Sequence, residues 1–459
     1  MEKKGLEIIM NRSYEMDMCN GPLLGKILTY AVPLMLSGIL QLLFNAADVI
    51  VVGRFAGHES LAAVGSTSAL INLLINVFIG LSVGANVLVA QYFGAGKDRE
   101  VSDTVHTAVT ISLICGIALV AIGGFASKPL LLLMGTPEDV LGKAALYMRI
   151  YFAGMPVIML YNFGAAVLRA IGDTKRPLYF LMAAGIVNVC LNLVFVILFR
   201  MGVAGVALAT VLSQCISAAL VCWCLMKSTG SYHLDLAKLG IKKEILARIA
   251  RIGLPAGFQG AVFSISNVLI QSSLNSFGSV AMAGSTAAAN LEGFVYNAMN
   301  AVYQTNLSFT SQNIGGGKFN RINRILVLCL SVVTVVGLIM GGGCVLFGPQ
   351  LLGIYSSDPE VIRYGMMRLT MICGPYFICG WMDVLVGSLR GMGCAVLPMF
   401  VSLAGACGLR IIWIMTIFQW HRSLSTLYVA YPVTWFITAL VHLFCFLMIR
   451  RRFPKTDAR

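Results

Sequence analysis

The sequence predicts an all-α polytopic membrane protein, with about twelve transmembrane helices in two pseudo-symmetric lobes of six. Three observations carry that reading. Of 459 residues, 58% are hydrophobic and 11% charged, with a mean hydropathy of +0.85; soluble domains hold about 25% charged residues. Apolar runs of about 20 residues, each able to cross about 30 Å of hydrocarbon, recur from Ile27 to Ile449. The second half of the chain also repeats the first. Strands of a β-barrel would alternate over about ten residues, and these runs do not.

Residues 1–26 are polar and charged and read as a cytoplasmic segment without a leader's cleavage site. Spans are expected to begin near Ile27, Leu61, Val105, Ala145, Pro177 and Ala204, forming an N-lobe over residues 27–226. Residues 227–248, "KSTGSYHLDLAKLGIKKEILAR", are polar and basic and read as a cytoplasmic linker with a short helix on the inner membrane surface. A C-lobe over residues 249–449 follows, its spans beginning near Ala250, Ala281, Leu326, Gly365, Ala395 and Leu427. The tail, 450–459, opens with "RRRFPK".

The formal net charge is +14. In this topology most Lys and Arg fall in the loops assigned to the cytoplasm, so the charge anchors the termini inside and faces anionic lipid. It does not call for nucleic acid. The thirteen cysteines are scattered through apolar runs without a CxxC, and Cys222 and Cys224 lack histidine partners. They read as small buried or lipid-facing residues. No cofactor is expected, and no metal beyond a possible sodium ion.

The repeat is visible in quoted pieces. "LVAQYFGAGKDREV" (Leu88–Val101) resembles "SFTSQNIGGGKFNRI" (Ser308–Ile322), aligning Gln91 with Gln312 and Lys97 with Lys318. "VLRAIGDTKRPLYF" (Val167–Phe180) resembles "SLRGMGCAVLPMF" (Ser388–Phe400), and Pro33 matches Pro255. A shared offset of roughly 221 residues implies two bundles in the same orientation. Paired bundles suit alternating access around a midplane site, so a transporter is the default reading. "GAGK" is a tight turn and not a P-loop, because position 91 is Gln and Asp98 follows the lysine.

Asp48, Glu292 and Asp383 are the acids well inside the expected spans, and intramembrane acids are functional candidates. Gln41, Asn45 and Asp48 share one helical face, as do Asn188 and Asn192. At 1.5 Å per residue, Asp48, Asn192 and Thr210 all lie roughly 8–10 Å below the outer face. A carboxylate, two amide oxygens and a hydroxyl can hold a hard cation, or the acid can take a proton. In the C-lobe, Asn267 and Gln271, and Asn297, Asn300 and Gln304, follow helical spacing and are expected to line a cavity. Glu292 is expected to pair with Arg410 across a depth difference of about 7 Å, with Asp383 deeper towards the cytoplasm and a poorer partner. Pro33 lacks a backbone donor inside the first span and is a candidate hinge.

Together Pro33, Asp48, the glycine loops, "LRAIGDTKRP", Asn188 and Asn192 resemble the MATE family of multidrug and toxic compound extrusion antiporters, over about Leu23 to Ile449. The resemblance implies a V-shaped pair of six-helix lobes in the cell membrane. It implies export of small organic, often cationic, compounds in exchange for protons or sodium. It also implies that the position of Asp48 binds the coupling ion, with Asn188, Asn192 and Thr210 around it, and that Pro33 lets the first helix bend. Two departures stand out. Asn192 is neutral where some branches carry aspartate, and "AVFSISN" around Phe263 and Ser264 replaces a glutamate of others. Fewer acids favour proton over sodium coupling. The alternative is a lipid-linked oligosaccharide flippase of the wider superfamily. A membrane enzyme is a third class, but no DDxxD-like metal cluster is present. The chain is expected to be a monomer.

Overall fold

Hydrocarbon offers no partner to a backbone N–H or C=O, so a chain this apolar must satisfy those groups within each segment. The computed structural model describes residues 14–454 and 456–457, and among them there are helices and no strands. Leu23–Phe55 (α1) runs through Pro33 without a break. His58–Gly94 (α2) and Asp98–Leu133 (α3) follow. Glu138–Ala153 (α4) and Met155–Ala170 (α5) form one span bent by 49°. Lys175–Asn192 (α6) continues into a π-helical stretch, Leu193–Leu198, before Gly202–Lys227 (α7).

The second half repeats this order. Lys243–Asn275 (α8) runs through Pro255, followed by Ser279–Gly315 (α9) and Phe319–Leu346 (α10). After the short Gly348–Gly353 (α11), Pro359–Ile372 (α12) and Phe377–Gly391 (α13) again form a bent span, at 45°. Val396–Ser402 (α14), a π-helical stretch Leu403–Gly408, Leu409–Met415 (α15) and Ile417–Trp420 (α16) lead to Leu424–Arg450 (α17).

Nine helices among the described residues are long and apolar enough to cross a membrane, and each bent pair adds a further span, making up to 11. The remaining long helix, α9, has 37 residues, ample at 1.5 Å each. Its hydropathy is lowered by a run of polar side chains, Thr305, Asn306, Ser308, Thr310, Ser311, Gln312 and Asn313, all of which are buried. With α9 the twelve-helix layout is complete. The backbone carries the duplication too. Left-handed glycines recur in pairs, Gly57 and Gly278, Gly96 and Gly317, Gly172 and Gly393, each separated by 221 positions (278 − 57, 317 − 96, 393 − 172).

The chain resolves into two compact units. The first takes Ile39–Ala261 and the described residues up to Asp17; the second takes Met18–Gly38 and the described residues from Val262 onward. Both α1 and α8 therefore change unit part-way along.

In the first unit the bent span is the centre of the core, with Met148, Phe152, Met155, Met159 and Phe163 buried against neighbours such as Leu119. Asn86 on α2 donates to the Ala166 carbonyl at 2.8 Å. In the second unit Asn306 on α9 makes the matching tie, to the Val384 carbonyl at 2.6 Å and Ser388 Oγ at 2.7 Å. The linker is also fastened to the first unit. The Asp235 amide donates to His106 Nε2 at 3.0 Å, Lys242 pairs with Asp103, and a 3₁₀ turn spans Leu236–Lys238. The Ala237 amide donates to the Asp235 carboxylate and holds its pKa below the ordinary aspartate value.

One close backbone approach in the first unit is glycine-made. A Cβ on Gly84 would lie 2.2 Å from the Ile249 carbonyl oxygen, and one on Gly80 2.3 Å from the Gly257 nitrogen. Small residues bring α2 and the first half of α8 into backbone contact, which is where van der Waals packing between membrane helices is strongest. Gly84→Val should force these backbones apart, cost at least about 1–3 kcal/mol, and lower the unfolding temperature in detergent. Gly124→Ala is the control, since a Cβ there meets nothing within 4 Å, and it should leave that temperature unchanged.

Candidate functional site

The first unit gathers Asp48 from α1, Asn188 and Asn192 from α6, and Thr210 from α7. Their meeting depends on a glycine. Where Gly185 would carry a Cβ, the ring of Phe44 already stands, its nearest atom 1.9 Å away. Phe44 precedes Asp48 by one helical turn and Gly185 precedes Asn188 by nearly one. The close approach of α1 to α6 at this level sets the spacing at the next.

There, Asn192 Nδ2 donates to Asp48 Oδ1 at 2.5 Å and to Asn188 Oδ1 at 3.2 Å. Thr210 Oγ1 lies 3.5 Å from Asp48 Oδ2 and 3.0 Å from the Val206 carbonyl. A hydroxyl has one proton to give, and the shorter contact is to Val206. Asn188 and Asn192 are buried, and Asp48 is partly exposed. The charge of Asp48 reaches the stacked rings of Tyr147 and Tyr151, whose centroids are 6.1 Å apart. Gln41 and Asn45 share the Asp48 face and are exposed.

Oxygen acceptors outnumber donors in this cluster. Asn192 Oδ1 is buried without a hydrogen-bond partner, and none of the ion pairs among the described residues involves Asp48. An acid with neutral neighbours and a spare carbonyl oxygen can be completed in two ways. It can take a proton, or a small cation can sit among the oxygens.

The second unit corrects one expectation. Glu292 does not pair with Arg410. Arg368 on α12 takes it instead, with Nε 2.7 Å from Oε1 and Nη2 2.8 Å from Oε2, while Nη1 donates to Ser285 at 2.7 Å. The reason is helix packing: α9 lies along α12, α13 and α10, so the nearest guanidinium comes from α12. Reading that span from Gly365 left Arg368 at its edge; it begins at Pro359, which places Arg368 well inside. Charge position relative to the true helix start was the missed signal.

Arg410 on α15 is 3% exposed, and its Nε and Nη2 have no hydrogen-bond partner. Its guanidinium lies over the Tyr431 ring, 4.1 Å from the centroid. A desolvated cation–π contact contributes about 2 kcal/mol, less than the several kcal/mol that burying an ion costs. Asp383 on α13 is partly exposed, close enough to Tyr296 and Arg390 to interact electrostatically. Gln304 donates to Asn300 at 3.1 Å. Asn297 turns its amide back to the Gly293 carbonyl at 2.9 Å, and its Cβ would be 3.2 Å from one on Gly38. Asn267 and Gln271 are exposed on α8. Pro33 is buried, and the Ser37 hydroxyl donates to its carbonyl at 2.8 Å.

A family model, MatE, matches the chain twice, over residues 33–194 and 255–416. The chain belongs to the MatE family. The two matches begin on Pro33 and Pro255, the pair that opens each repeat. Among curated relatives of this MatE chain, the probable multidrug resistance protein YoeA of Bacillus subtilis is 27% identical over 420 residues, covering 90% of this chain and 91% of that protein. A protein named FAD transporter, from Shewanella oneidensis, is 26% identical, covering 72% of this chain and 74% of its own length. An outward-facing MATE family multidrug resistance transporter superposes with a TM-score of 0.89 at 21% identity, over 96% of this chain and 98% of that one. A MATE structure in a bent conformation gives 0.84 at 22% identity, over 93% and 95%. These similarities establish a multi-pass membrane transporter fold.

The Glu292–Arg368 pair supplies a stability test. Removing one partner strands the other charge in the protein interior, which costs about 3–5 kcal/mol, whereas exchanging both for neutral groups of similar volume is close to neutral. Arg368→Leu should sharply reduce folded yield and unfolding temperature. The double variant Glu292→Gln, Arg368→Met should recover most of the loss.

Proposed function

We propose that this protein is a multidrug efflux antiporter that exports small organic compounds by alternating access between its two units, driven by ions returning through Asp48. The observation that carries the reading is a membrane-embedded carboxylate that accepts from neutral Asn192, lies beside Thr210 and makes no ion pair among the described residues. Such a group changes charge when an ion binds and has nothing else to neutralise it. Relatives named for multidrug resistance support the efflux role. The coupling ion is a proton: the cluster offers one carboxylate, and position 192 is an amide, so a sodium ion would have little negative charge to hold it. The flippase alternative needs cationic residues for a pyrophosphate. The Asp48 cluster, acidic without a basic neighbour, favours the antiporter.

In this reading both termini are cytoplasmic, supported by the basic stretches Lys238–Arg251 and Arg450–Arg452. Pro33 is the hinge of α1. It deprives the preceding turn of one hydrogen bond, and it precedes by five residues the point where α1 passes from the second unit to the first. Bending there would move Asp48 when its charge changes.

In proteoliposomes, an inward proton gradient should drive substrate efflux and a sodium gradient alone should not. Sodium-driven efflux at constant pH would replace the proton assignment while leaving Asp48 as the ion site. Asp48→Asn should abolish gradient-driven efflux at unchanged protein yield; wild-type rates in that variant would overturn the proposal. Asn188→Leu should impair coupling more than Asn162→Leu, since Asn162 turns back to the Ile158 carbonyl of its own helix.

Pro33→Ala restores the missing donor and should slow turnover several-fold with little loss of folded protein. Unchanged turnover across pH would rule out the hinge.

A further inference from the structure

The buried charges of the second unit do not balance. Among the described residues, the charges along its membrane helices include two carboxylates, Glu292 and Asp383, and three guanidinium groups, Arg368, Arg390 and Arg410, with Arg390 in the last turn of α13. Arg368 takes both oxygens of Glu292. Arg390 donates to Tyr303 at 2.7 Å and acts electrostatically on Asp383. Arg410 remains, 3% exposed, with two N–H-bearing nitrogens that meet no acceptor among the described residues. Its charge reaches Cys407 and also Cys379, which the Asp383 carboxylate reaches too without forming an ion pair with Arg410 among the described residues, and thiols are weak acceptors that do not neutralise a guanidinium.

The surroundings indicate what would complete it. Tyr431 presents its ring face to the Arg410 guanidinium. Trp435 meets Tyr431 edge to face at 5.6 Å and stacks on Tyr376 at 5.3 Å. A fixed fork of donors beside an aromatic cluster matches a planar ring system bearing a carboxylate or phosphate. Arg410 also lies two residues beyond the π-helical stretch Leu403–Gly408, and π-turns are frequent at functional sites. In the first repeat the corresponding stretch, Leu193–Leu198, lies later in its span. The second unit has therefore shifted this feature within the duplicated frame.

We propose that Arg410 is a specificity-determining residue that binds the anionic group of the exported compound, so that aromatic carboxylates or phosphates, zwitterions included, are substrates. This deepens the efflux reading and rests on it for the transport step. Binding of the anion itself does not depend on that reading.

The test compares a fluorescent aromatic carboxylate with its neutral methyl ester on purified full-length protein. Titration calorimetry in detergent measures binding, and proteoliposome efflux measures transport. Wild type should bind the carboxylate saturably and at least tenfold more tightly than the ester, and should prefer it by a similar factor in kcat/KM. Arg410→Gln should remove the preference through KM, and Arg410→Lys should restore part of it. A purely structural role for Arg410 would lower both compounds equally and leave their ratio unchanged, which would overturn the proposal. If Arg410→Gln does not fold, Tyr431→Leu, which removes the ring under the guanidinium, should reduce the ratio; an unaltered ratio there counts against the site. Chloride in place of gluconate tests for a small-ion site: loss of carboxylate binding at physiological chloride would overturn the substrate class. Carboxylate binding without transport of either compound would leave the anion site standing and remove the efflux reading. Equal wild-type binding of carboxylate and ester would do the opposite.

Discussion

A polar group in hydrocarbon must find its partner within the protein, and most of this structure follows from that demand. The polar half of α9 is buried along its length. Trp381 gives its indole N–H to Thr334 at 2.7 Å. Asn86 and Asn306 each spend an amide on a carbonyl of the neighbouring bent span. Glu292 and Arg368 close on one another with two parallel hydrogen bonds. Against that background two charges stand out. Asp48 has neutral company for a charge, and Arg410 has an aromatic face where an acceptor would be expected.

These two charges are opposite in sign and fall in different copies of one repeat. The frame was kept: its left-handed turns recur at one spacing and its bent spans at equivalent places. The side chains inside it diverged. An acid with amide neighbours suits a small cation that must be taken up and released, and a buried guanidinium beside aromatic rings suits an organic anion. Duplication allowed one architecture to carry both chemistries without either compromising the other.

Much of this was legible before any coordinates. Span lengths and the shared offset of the repeat follow from hydropathy and quoted motifs alone, and they fixed the fold class. Asp48, Asn188, Asn192 and Thr210 could be grouped because helical spacing and depth are both readable in one dimension. What could not be read was lateral position. Depth placed Glu292 within reach of Arg410, but which helix stands beside α9 depends on packing, and Arg368 on α12 was nearer. The space Phe44 takes over Gly185 was equally hidden, since a glycine in an apolar helix announces nothing about the ring that will occupy its place. The π-helical stretches left no sequence signal, although one of them ends two residues before Arg410.

The passage of α1 and α8 from one unit to the other has a consequence for biogenesis. Neither unit is a continuous piece of chain. As the polypeptide leaves the ribosome, Met18–Gly38 emerges well before the rest of its unit, which starts only at Val262. The first unit in turn stays incomplete until Ala261 has been made. The opening segment of α1 must therefore wait in the bilayer through more than 200 residues of synthesis, at about 5–20 residues per second, before its own neighbours exist. A cut in the linker at 227–248 would yield two fragments that each lack part of their own unit and carry part of the other. The two copies of the repeat follow one another along the chain, but the two compact units do not.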